Sequence, residues 1–175
     1  SVGAYGTFIG NNGFYVDGVL KFNWQDQRFN AVDTAGNSVL GKSNTTGASA
    51  SLETGRRLFL DRKSGKGFYI EPQAQIIWGS QNGDTFTASN GLNVQQDGYH
   101  SLIGRAGLLA GYEVKGGNNP INVYAKASYN HEFSGDYSAT MNGAWINGSM
   151  GDSWWTYGVG ITAQVNKKHN IYADI

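Results

Sequence analysis

A chain of 175 residues with 26 glycines, two prolines, five tryptophans, ten tyrosines and eight phenylalanines suits one domain of many strands joined by turns better than a helical bundle or a disordered segment. Its formal net charge is zero, without a long basic run, and it has no cysteine; this excludes an electrostatic footprint for nucleic acid, thiolate metal sites, cysteine nucleophiles and disulfides. No run of about 18 apolar residues is present, so a transmembrane helix is not expected, while transmembrane strands leave too weak a hydropathy signal to be excluded.

Ser1 opens directly in strand-like sequence with no charged and apolar leader, so either a leader has been removed or the chain is an internal portion of a longer protein, the second being the preferred expectation. Ser1 to Ile9 alternates, with Val2, Ala4, Gly6 and Phe8 on one face, and Gly10-Asn11-Asn12-Gly13 is a tight-turn sequence. Phe14 to Asp26 sets Phe14, Val16, Leu20, Phe22 and Trp24 against Tyr15, Asp17, Lys21, Asn23 and Gln25. From Gln27 to Asn44 the pattern weakens into either a polar loop or an extension of two strands beyond any membrane. Gly36 to Ser43 has P-loop spacing, but the sequence after it is poor helix material, and a phosphate cradle needs a helix there.

Thr45 to Leu60 resumes the alternation, with Ala48, Ala50, Leu52, Leu58 and Leu60 against Ser49, Ser51, Glu53 and Arg57; Arg56 breaks the apolar parity near the strand end, where it can snorkel. Asp61 to Gly67 reads as a short turn. Phe68 to Gly79 carries the strongest signal: Phe68, Ile70, Pro72, Ala74, Ile76 and Trp78 face one way, and Tyr69, Glu71, Gln73, Gln75 and Ile77 the other. Its terminal aromatics are ten residues apart, which at ~3.3 Å per residue matches a tilted membrane crossing.

A long polar connection, Ser80 to Gln96, leads to a strand from Asp97 to Tyr112, with Leu102, Ala106, Leu108 and Ala110 opposite Ser101, Ile103 and Arg105. Glu113 to Pro120 is short, Ile121 to Phe133 alternates, Ser134 to Ser153 is long, Trp154 to Val165 offers Trp155, Tyr157, Val159 and Ile161 to one face, and Asn166 to Lys168 is short before a last strand ending at Ile175. Eight strand segments joined by alternating short and long connections predict an all-β, antiparallel up-and-down transmembrane β-barrel, with short turns in the periplasm and long loops outside. Leu20, Phe22, Leu52, Ile76, Trp78, Leu108 and Ile161 are expected to face lipid, and Lys21, Arg57, Gln73, Gln75 and Lys126 to line the lumen. The alternative is a soluble ligand-binding barrel with the apolar set turned inward.

Gly13-Phe14-Tyr15-Val16-Asp17, Glu53-Thr54-Gly55, Gly67 to Gln75, Gly104-Arg105-Ala106-Gly107 and Trp155-Thr156-Tyr157-Gly158-Val159-Gly160, spread in order over nearly the whole chain, together resemble the translocator barrel of classical monomeric autotransporters, especially the AIDA-type adhesin branch. The resemblance implies a twelve-stranded barrel threaded by a helix, of which residues 1–175 are a partial domain from about the fourth to the eleventh strand, in the outer membrane of a Gram-negative bacterium. It implies a translocator that anchors and helps export an N-terminal passenger, an adhesin, with outer-membrane lipid, the protein's own passenger segment and pore helix, and the barrel assembly machinery as partners.

Some family members cut the linker between passenger and barrel with lumenal acids. By resemblance Asp17, Glu53 and Glu71 match those positions, with Arg105 orienting one of them. Two close carboxylates raise one pKa, which suits a general acid; the alternative is an ion-pair lattice that stiffens a wet barrel. No cofactor or metal is expected, since His100, His131 and His169 are isolated. Closure of these eight strands alone is not expected: an eight-stranded interior is just wide enough for side chains, and Gly55, Gly107, Gly158 and Gly160 would leave gaps in it.

Overall fold

The computed structural model describes residues 1–61, 66–116, 119–149, 152–166 and 169–175. A single antiparallel layer dominates it. In spatial order its strands are β1 (Val2–Ile9), β2 (Phe14–Val32), β3 (Ser38–Arg56), β5 (Lys66–Gln81), β8 (Tyr99–Gly116), β9 (Asn119–Glu132), β12 (Ser153–Asn166) and β13 (His169–Asp174), with β4 (Leu58–Asp61) also on β5. Among the described residues β1 and β13 do not pair with each other, so the sheet is open.

The ladder between β3 and β5 stops at Gly55↔Gln73 and resumes in β4 at Leu58↔Ile70, so Arg56 stands opposite Pro72. Proline has no N–H to give the ladder, and the interruption falls at that residue. The hairpin turn before β2 uses Gly13 at φ 78°, where an added Cβ would lie 2.7 Å from the Arg57 carbonyl oxygen.

Nothing among the described residues covers either broad face of the lower sheet, yet the faces differ. Leu20, Phe22, Leu52, Phe68, Ile76, Trp78, Leu108 and Ile161 stand exposed, whereas Tyr69, Glu71, Leu109, Ser128 and Asn130 on the opposite parity are buried. Side chains crowd on only one side of a single layer when the layer curls, so the polar face is concave: the sheet is a half-barrel. Hydrophobic collapse in water would curl it the other way. Its core is therefore a polar one.

The region Gln27 to Asn44 is strand, the second of the two possibilities the sequence left open. β2 and β3 remain paired to Val32↔Ser38, about 60 Å of hairpin at ~3.3 Å per residue. Asp33 closes it, its carboxylate accepting the N–H groups of Ala35 and Asn37 at 2.9 and 2.8 Å; these hydrogen bonds from Asn37 and its neighbours hold the carboxyl below its ordinary value.

The connections read as long and polar contain a second sheet that alternation did not reveal. β6 (Asp84–Thr87), β7 (Asn93–Gln96), β10 (Asp136–Met141) and β11 (Ala144–Ser149) pair in the order β11-β10-β7-β6. Asn142 (φ 47°) and Gly143 (φ 84°) make the tight β10–β11 turn, the Asn-Gly chemistry such hairpins require. This small sheet leans on the β2–β3 extension. Phe29 and Phe86 meet edge to face at 5.8 Å, Ser89 N–H donates to the Leu40 carbonyl at 2.8 Å, and Val39, Ala88 and Val94 are buried between them. The expected turns Asp61–Gly67, Glu113–Pro120 and Asn166–Lys168 fall partly on residues outside those described.

Candidate functional site

The concave face is organised in rungs, because residues in register on successive strands stand side by side. One rung runs Thr7↔Asp17↔Glu53↔Gln75↔Arg105↔Asn130 across six strands. Asp17 and Glu53 are direct register partners. Thr7 Oγ1 donates to Asp17 Oδ2 at 3.1 Å, Tyr15 Oη donates to Glu53 Oε1 at 2.7 Å, and Arg105 Nη2 reaches over β5 to Glu53 Oε2 at 2.5 Å. Asp17 Oδ1 and Arg105 Nε are buried without a hydrogen-bond partner among the described residues.

Glu71 is not in this group. It stands two rungs nearer the Gly10–Gly13 end, buried, where Arg57 Nε donates to it at 2.8 Å and Gln73 Nε2 at 2.9 Å. Of the residues grouped by resemblance, the fold therefore joins the acids Asp17 and Glu53 with Arg105 and sets Glu71 apart in its own ion pair. The Arg57 guanidinium also lies 4.3 Å from the centre of the Tyr69 ring, a cation–π contact. Lys126 pairs with Asp174 on β13 at 2.6 Å, and Lys21 stands exposed on the same face, in register with Gly3 and Ser49. Gln75 lies between Glu53 and Arg105, and Gln73 below it.

Sequence reasoning missed the tyrosines. Tyr15, Tyr69 and Tyr124 lie in register with Gly55, Gly111 and Gly160, and each ring covers the glycine opposite so closely that a Cβ at Gly55 would lie 2.7 Å from Tyr15 and one at Gly111 2.5 Å from Tyr69. The gaps expected at Gly55, Gly107, Gly158 and Gly160 are filled, by Tyr15, Ser128, Lys126 and Tyr124 respectively. The signal was present as a tyrosine on the polar parity followed, on the next strand, by a glycine of the same parity. Asp174 and Glu132 were missed as well; Glu132 accepts Ser101 Oγ at 2.6 Å and the Leu102 N–H at 2.8 Å, tying β9 to β8.

In the small sheet, Asp84 accepts the Asn44 and Thr85 N–H groups at 2.8 and 2.9 Å, and the Asn44 bond is the main cause that holds its carboxyl below the ordinary value.

A single curled layer with exposed aliphatic and aromatic side chains outside and ion pairs inside is the wall of a transmembrane β-barrel. The family described as "Autotransporter beta-domain" matches residues 1–175, and the chain belongs to it. It is 41% identical over 173 residues, 99% of its length and 18% of the relative's, to "Probable autotransporter YcgV" of Escherichia coli K12, and 34% identical over 174 residues, 99% and 19%, to the pertactin autotransporter of Bordetella bronchiseptica. Its fold matches the crystal structure of the β domain of the Bordetella autotransporter BrkA with a TM-score of 0.74 at 31% identity, covering 98% of this chain and 62% of that one. The chain thus spans less than a fifth of the curated relatives it matches. The matches bear out the family and the outer-membrane location without singling out the AIDA-type branch, and they set aside the soluble ligand-binding barrel.

Proposed function

We propose that this chain is part of the wall of an outer-membrane translocator that anchors and helps export a passenger carried on the same polypeptide, an adhesin by the motif resemblance, and that is inserted by the barrel assembly machinery. The observation that carries the reading is the inverted sheet: an apolar face left bare over a span bounded by Phe14 and Trp24 on β2 and by Phe68 and Trp78 on β5, against a concave face of paired charges. Leu20, Phe22, Leu52, Ile76, Trp78, Leu108 and Ile161 would then face lipid, while Lys21, Arg57, Gln73, Gln75 and Lys126 would line the lumen around a pore helix and the passing chain. The free edges of β1 and β13 would be the seams at which the rest of the wall joins, since unpaired backbone groups in hydrocarbon cost several kcal/mol each.

The test is topological. In intact cells carrying the full-length protein, cysteines at Asn37 and Asn147 should react with an impermeant reagent, and a cysteine at Asn11, in the turn at the opposite end, should not. Labelling at Asn11 alone would reverse the orientation.

The pairing of Asp17 with Glu53 under Arg105 also supports a second reading, intrabarrel release of the passenger. Asp17→Asn with Glu53→Gln should then abolish appearance of the released passenger while the barrel stays heat-modifiable. Undiminished release would leave these acids as part of the wall's ion-pair lattice.

A further inference from the structure

Beyond Trp24 the outward face of β2 changes character. The next outward residues are Asp26 and Arg28, and Lys42 on β3 stands directly across the ladder from Arg28. Like charges directly opposite on one face of an antiparallel pair repel. One carboxylate mediates between them: Asp26 lies 3.3 Å from Lys42 Nζ and 3.7 Å from Arg28 Nε. Their side chains are 77% (Arg28), 52% (Lys42) and 51% (Asp26) exposed, so ion pairing there contributes little to stability. The group keeps an excess positive charge, and among the described residues the Nη nitrogens of Arg28 have no partner. Stability does not account for this arrangement.

Position does. The small sheet packs on the inward side of the same hairpin, through Phe29 and Val39, and leaves the outward side bare. With strands tilted ~40°, each residue rises ~2.5 Å along the barrel axis, so Arg28 lies about 10 Å beyond Trp24, past the hydrocarbon and in the headgroup layer. Long cationic side chains reach back toward that boundary.

Resting on the outer-membrane reading above, we propose that Arg28 and Lys42 clamp a phosphate group on the headgroup of an outer-leaflet lipid. The guanidinium presents its free fork to two phosphate oxygens and the ammonium supplies a point charge beside it. Asp26 is the internal competitor, holding the two cations when no lipid phosphate is present. The occupant is membrane lipid because the pair faces sideways, in line with Leu20, Phe22 and Trp24, rather than into the lumen or off the hairpin tip.

The experiment uses the complete barrel domain of the parent protein in vesicles of zwitterionic phospholipid, alone or doped with bisphosphorylated lipid A, with dephosphorylated lipid A, or with inorganic phosphate in the buffer. Heat-modifiable folding in the zwitterionic vesicles tests the barrel reading by itself. The midpoint of heat modification should then rise by about 2–4 °C with the phosphorylated lipid only. Arg28→Gln with Lys42→Gln should lose this rise, and Asp26→Asn, which removes the competitor, should enlarge it. An equal rise with dephosphorylated lipid, or in the doubly substituted barrel, overturns the clamp. A rise with inorganic phosphate alone overturns the assignment to lipid. If the double variant does not fold, an Asp26→Asn barrel with an unchanged rise overturns the proposal.

Discussion

Arginine at Ile76 lowers the folding stability of the complete barrel by about 1–3 kcal/mol in a lipid titration, between the interfacial and midplane penalties, whereas arginine at Gln75 costs far less. The two positions are neighbours in sequence on one strand, and differ in what their side chains meet. Ile76 is half exposed on the bare apolar face, inside the span from Phe68 to Trp78 and two residues short of Trp78, so a guanidinium there would have to be desolvated within the apolar band, on the outer side of its middle. Gln75 points into the concave rung between Glu53 and Arg105, where Asp17 and Glu53 offer carboxylates and water has access. Equal tolerance at the two sites would mean that the apolar face does not meet lipid, and the outward assignment of Leu20, Phe22, Leu52, Leu108 and Ile161 would fall with it.

Valine at Gly111 should cost about 1–3 kcal/mol, the usual range for overpacking. Its Cβ would lie 2.5 Å from the Tyr69 ring, and Tyr69 has no room to retreat. That ring is 2% exposed, with the Arg57 guanidinium above it and Phe59 beside it at 5.6 Å. Gly6→Val supplies the comparison, since an added Cβ there meets nothing within 4 Å. Tyr69→Ala in the Gly111→Val background should recover part of the loss, a coupling that a double-mutant cycle reads directly. A Gly111→Val barrel as stable as Gly6→Val would show that the ring moves freely and that the Tyr–Gly contact contributes nothing.

The transmembrane part of the fold was legible because a strand in a barrel wall has two environments and a period of two residues. Phe68 to Gly79 and Phe14 to Asp26 each carried both faces in plain view, and with them the antiparallel order and the charged set on one side. The small sheet was not legible. Asp84–Thr87, Asn93–Gln96 and Ala144–Ser149 are short and mostly exposed, and the two hairpins they belong to are joined only through the pairing of β7 with β10, from connections separated by a whole strand pair, so neither alternation nor length marked them. At the site, parity placed Asp17, Glu53, Glu71 and Arg105 on one face but could not give their heights. Height depends on register, which the turns and the stagger between strands set; register is what separates Glu71 from the other acids. The tyrosine–glycine pairs were hidden for the same reason, since each joins two strands whose offset a linear sequence does not display.

Those pairs also give the wall a grain. Tyr15, Tyr69 and Tyr124 each lean from one strand of a hairpin onto the other, from β2 to β3, β5 to β8 and β9 to β12, joining the two by ring-on-backbone contact that neither salt nor acid weakens. Across the joints between hairpins run ties of another kind, the carboxylate contacts of Arg57 to Glu71, Arg105 to Glu53, and Glu132 to Ser101 and Leu102, beside the neutral bonds of Gln81 to Thr45 and Asn82 to Thr46. The half-barrel is in this sense a row of three riveted staves, joined to one another by the backbone ladder and laced across those joints by charge.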